Sequence, residues 1–67
     1  MNSNWQIVYS ASYIHQVELI KAVLLNHDIE SVILNQKDSA YLFGEYNLYV
    51  HPDDVLIAKQ IINKESL

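Results

Sequence analysis

Three histidines, two adjacent aspartates and two early serines are the side chains in this 67-residue chain that first invite a chemical reading. His15 and His27 are twelve positions apart on one expected helix, roughly 18 Å at a rise of about 1.5 Å per residue, and His51 closes an expected strand. None of these spacings is the i, i+3 or i, i+4 pair of a helical metal site, so all three read as surface histidines. Asp53 and Asp54 point about 100° apart on a helix and have a simpler role as negative charge on the positive end of its dipole. Ser10 or Ser12 with a histidine and an aspartate matches a hydrolase triad in composition only. A nucleophile elbow and a phosphate-cradling loop both need glycines, and the single one, Gly44, lies far along the chain. The absence of cysteine removes thiolate nucleophiles, disulfides and Cys-based zinc sites. The expectation is a non-catalytic chain with no cofactor and no metal.

Charge and length narrow the class further. Eight acidic side chains stand against four lysines, with no arginine, for a formal charge of −4. Lys21, Lys37, Lys59 and Lys64 are scattered, so nucleic acid is not an expected partner. The opening Met1-Asn2-Ser3-Asn4-Trp5 carries no basic residue and no secretory apolar stretch follows. The longest apolar runs are three or four residues. Neither export nor membrane insertion is expected, and a reducing cytoplasm suits a chain without cysteine. The whole of 1–67 reads as one domain with an ordered core over about 5–63, because a chain near 60 residues buries only about 60% of its unfolded surface and has no material for a second core.

The elements follow from periodicity. Trp5-Gln6-Ile7-Val8-Tyr9-Ser10 is aromatic and β-branched and reads as a strand, with Ser10 or Ser12 placed to cap the helix after it. From Ser12 to Asn26, Tyr13, Val17, Ile20 and Leu24 form one stripe at helical spacing, flanked by Ile14, Leu19, Val23 and Leu25. Ile29 to Gln36 reads as a second strand and Lys37 to Gly44 as a connection. Glu45 to His51 alternates, with Tyr46, Leu48 and Val50 on one face and Asn47, Tyr49 and His51 on the other. Pro52 suits a first helical position, opening a helix to about Asn63 with Val55, Ala58, Ile61 and Ile62 as its apolar stripe.

The order is βαββα. With a right-handed crossover through the first helix, strand three fits between strands one and two and antiparallel to both. This predicts an α+β fold, a two-layer sandwich of ferredoxin-like kind lacking the last strand, with sheet order 1-3-2 and both helices on one face. Four residues after the second helix are too few for a fourth strand, so the edge of strand one and the helix-free face are expected to stay open.

Aromatic placement marks the candidate surface. Ala40-Tyr41-Leu42-Phe43-Gly44 puts large apolar residues in a connection, either as a cap folded onto the core or as a docking surface. Tyr49 belongs to the helix-free face, joined by Val8 or by Trp5, Ile7 and Tyr9 according to the parity of strand one. The candidate interaction residues are Val8, Tyr9, Tyr41, Phe43 and Tyr49. Tyrosine suits such a role, with an apolar body and a polar tip.

Val8-Tyr9-Ser10, then Val17-Glu18-Leu19-Ile20-Lys21, Leu24-Leu25 and Asp28-Ile29, followed later by Leu48-Tyr49-Val50, Pro52-Asp53-Asp54 and Ala58, resemble the putative prokaryotic signal transducing protein family. The resemblance covers about residues 5 to 63. It implies a small bacterial ferredoxin-like, PII-like domain with no established reaction. Asp28 stands where that family usually has glycine at the end of the first helix, and aspartate can occupy a left-handed cap less readily than glycine. The functional expectation is a non-catalytic regulatory or protein-interaction module, a homodimer or a docking partner for another protein through the helix-free face or the edge of strand one. The alternative is a small-effector sensor with Tyr41, Phe43 and Tyr49 lining a pocket.

Overall fold

The computed structural model describes residues 4–36 and 45–65. Strand β1 spans Gln6–Ala11, helix α1 Ile14–Asn26, strand β2 Ser31–Gln36 and strand β3 Glu45–Val50. A 3-10 turn over Pro52–Asp54 leads into helix α2, Val55–Glu65. The element order βαββα is the expected one. The connection 37–44, with Tyr41 and Phe43, lies outside the described residues.

The sheet order is β1-β3-β2, and both outer strands run antiparallel to β3. Val50, Tyr49, Leu48, Asn47 and Tyr46 face Ser31, Val32, Ile33, Leu34 and Asn35 of β2 in unbroken register. On the other side Ile7 faces Tyr49 but Tyr9 faces Leu48, so Val8 is the extra residue of a β-bulge. The bulge resets the alternation of β1, which is why no single parity describes that strand.

Leu48 and Val50 are fully buried, as are Val17 and Leu24 of α1 and Ala58 of α2. Ile20, Ile29, Ile61 and Ile62 complete the core cluster. Both helices therefore pack on the side of the sheet that carries Leu48 and Val50, giving the two-layer α+β arrangement. Tyr13, expected on the core stripe of α1, is exposed because it sits at the N-cap in an extended conformation, one residue before the helix. Neither Ser10 nor Ser12 takes the capping position expected of them. The strand runs on to Ala11, and Tyr13 caps with no side-chain hydrogen bond.

The far end of α1 shows how an aspartate replaces a glycine. Asp28 has φ 63°, in the left-handed region. The Ile29 N–H donates to the Leu24 carbonyl and the Asp28 N–H to the Leu25 carbonyl, each at 2.9 Å. These are the paired bonds of a Schellman motif, and Ile29 joins Leu24 in the core as its hydrophobic contact. Burial of Ile29 thus holds Asp28 in a conformation that its Cβ disfavours by about 1 kcal/mol or more.

Two stability measurements check this account. Leu24→Ala or Leu48→Ala is expected to cost about 2 to 5 kcal/mol in urea unfolding, since each side chain is removed from a fully buried position. A loss under 1 kcal/mol for both would refute the packing. Asp28→Gly is expected to raise stability by up to about 1 kcal/mol, the relief of the left-handed conformation being partly offset by glycine's larger unfolded entropy. A destabilised Asp28→Gly would show that the aspartate side chain, and not backbone geometry, holds the helix end.

Candidate functional site

Alternation along β3 turns Asn47 and Tyr49 to the side away from the helices, and register brings their neighbours with them. Ile7 and Val32 flank Tyr49, while Ser10 and Leu34 flank Asn47. Ile7 is 45% exposed, Val32 40% and Leu34 52%, around a half-buried Tyr49. Three aliphatic side chains are thereby exposed on adjoining strand positions around one tyrosine, where a solvated face of an antiparallel sheet normally carries polar residues.

Polar groups pin the middle and one end of this face. The Ser10 hydroxyl donates to Oδ1 of Asn47 at 2.7 Å, joining β1 to β3 side chain to side chain, and Asn47 is only 3% exposed. Two residues before Ile7, the Trp5 ring stands edge-on to His51, centroids 6.1 Å apart at 77°. Nδ1 of His51 accepts the Asp53 backbone N–H at 3.2 Å, so this histidine caps the turn that opens α2. The Asp53 carboxylate lies 3.5 Å from the same nitrogen. His51 has a structural task that spacing alone did not show.

The site residues expected from sequence divide three ways. Tyr49 is at the centre of the helix-free face. Val8 and Tyr9 are not on that face: Val8 is the bulge residue, Tyr9 lies opposite Leu48, and both pack against the core. Ile7, named for that face in one of the two parities of strand one, does lie there, and it is joined by Val32 and Leu34 of β2, two residues that sequence reasoning did not single out. A strand with apolar residues on both faces was the available signal. Tyr41 and Phe43 lie outside the described residues, so the pocket they were expected to form with Tyr49 does too.

Other chemistry is sparse. A shallow, open cavity of about 410 Å³ at the start of α1 is lined by Tyr13, Ile14, His15 and Gln16, away from Tyr49. Among the described residues no three His, Cys, Asp or Glu side chains cluster as metal ligands, and no helix is long and apolar enough to cross a membrane.

The chain is thus a small two-layer α+β domain with one sheet face covered by helices and, among the described residues, exposed aliphatic side chains on the other. The profile of the family described as putative prokaryotic signal transducing protein matches residues 5–66, and the chain belongs to that family. No curated protein and no solved structure matches it.

The Ser10–Asn47 bond supplies a local test. Asn47→Ala is expected to cost about 1 to 3 kcal/mol, because it empties a buried polar position and leaves the Ser10 hydroxyl without its acceptor. Ser10→Ala, at an exposed site, should cost less. Equal and negligible losses in urea melts would show that the bond does not join the strands.

Proposed function

We propose that the chain is a non-catalytic interaction or regulatory module that engages a protein, a second copy of itself included, through the helix-free face of its sheet. The single observation that supports this most is the exposure of Ile7, Val32 and Leu34 together around Tyr49. Exposed apolar residues scattered singly need no explanation, whereas a contiguous group favours a docking role. The family's signal-transducing description agrees with a binding module. Ser10, the nearest approach to a nucleophile on this face, is bonded to Asn47 and not to a histidine. A cysteine-free chain fits work in a reducing cytoplasm.

The reading is tested by placing charge on the face without touching the core. Val32→Lys and Ile7→Lys are expected to keep the wild-type circular dichroism and to stay within about 1 kcal/mol in urea melts, because both side chains are substantially exposed. Both should lose the proteins that co-purify with the wild-type chain from its native host, identified by mass spectrometry. Retention of every one of those proteins by both folded variants would overturn the reading.

A further inference from the structure

We propose that His51 is a proton-operated fastening between β3 and α2, its ring holding the Asp53 backbone when neutral and the Asp53 carboxylate when charged. The inference is independent of the docking reading and concerns the corner where Trp5 meets His51.

The atoms around Nδ1 carry the argument. The Asp53 N–H donates to it at 3.2 Å, and only an imidazole nitrogen without a proton has the lone pair that accepts such a bond. The neutral ring is therefore held in one tautomer, with its hydrogen on Nε2. Oδ2 of the Asp53 carboxylate lies 3.5 Å from the same Nδ1. An ionised carboxylate only accepts, so it forms no hydrogen bond to the bare nitrogen and gains one when a proton arrives there. Protonation thus exchanges one group of Asp53 for the other: the backbone N–H is released, and a charge-assisted bond to the carboxylate takes its place. The side chain of His51 is 42% exposed, so protons reach it from solvent without any opening of the fold.

The surroundings make the exchange local. At this end of the sheet the titratable groups are Asp53 and Asp54 in the turn, and His27, Asp28 and Glu30 in the connection from α1 to β2, whose Ser31 faces Val50. Lys59 is the first charged residue of α2, and the start of β1 brings the uncharged Trp5 and Gln6. Among the described residues only Asp53 lies within ion-pair distance of the ring. The turn has two further ties, the Asp54 N–H donating to the His51 carbonyl at 2.8 Å and the Val55 N–H to the Pro52 carbonyl. Neither involves a titratable atom, so both persist when the ring is charged. A proton therefore frees one N–H at the entry to α2 and leaves the turn and the Leu24 and Leu48 interior in place.

Nuclear magnetic resonance on the full chain between about pH 5 and 8, where histidine changes charge and aspartate ordinarily does not, decides the matter. The ring nitrogen resonances of neutral His51 are expected to show Nδ1 bare and Nε2 protonated. As the pH falls, the Asp53 amide proton should move upfield along the same curve as the His51 ring, and its solvent exchange should rise at least about threefold relative to that of the Asp54 amide. His51→Asn keeps a side-chain oxygen that caps the turn and does not titrate, so in it the Asp53 amide should stay level across the range. His51→Ser serves in the same way if that variant does not fold. In Asp53→Asn the Nδ1 proton of the charged ring should exchange with water at least about threefold faster than in the wild type, having lost its charged acceptor. A neutral ring protonated on Nδ1 overturns the proposal, as does an Asp53 amide that ignores the ring or still titrates when His51 is replaced. Equal Nδ1 exchange in Asp53→Asn overturns it too, since the carboxylate would then not be the second partner.

Discussion

The alternation of β3 is the constraint on which everything else described depends. Both outer strands pair with β3 and not with each other, so among the described residues the sheet exists only through it. Leu48 and Val50 also carry the contact with the helix layer. A slip of one residue would turn them to water and bring Asn47 and Tyr49 into the core, undoing pairing and packing together. In a domain with so little interior, no second cluster compensates for that loss. The same period-two rule that buries Leu48 presents Tyr49 on the other side, so the core and the candidate surface are two consequences of one strand.

Element types and topology were legible because β3 and both helices carry clear periodicity. Val17, Ile20 and Leu24 repeat at helical spacing, and Tyr46, Leu48 and Val50 alternate. What sequence reasoning missed had local causes. The bulge at Val8 leaves no mark in a stretch without glycine, where every residue from Trp5 to Tyr9 except Gln6 is aromatic or β-branched, so the facing of β1 was undetermined. Ser10 looked like a helix cap because serine is a good one, yet its hydroxyl finds Asn47, 37 positions on, a partner no local pattern reveals. Pro52 did open the second helical segment, but as a 3-10 turn capped by His51.

The candidate surface was half visible for the same reasons. Tyr49 followed from the cleanest alternation in the chain. Ile7, Val32 and Leu34 became neighbours only through pairing register, a long-range property. Among the described residues the acidic side chains other than Glu45 lie outside the strands, within α1 at Glu18, in turns and flanks at Asp28, Glu30, Asp53 and Asp54, and at the end of α2 at Glu65. The family assignment agrees with this division, since its recognisable residues are mostly those that caps, strands and helices require, and they identify an architecture before an activity.

The contact between Trp5 and His51 gives the molecule a property of a different kind. Trp5 is the only tryptophan in the chain, and its ring touches the residue that joins β3 to α2. One chromophore therefore sits where the entry of the first strand meets the exit of the last. Its emission reports whether the chain's beginning is seated against the hinge of its final helix, and it does so without a label. Fraying of that corner becomes an optical signal separable from melting of the Leu24 and Leu48 interior, which contains no indole.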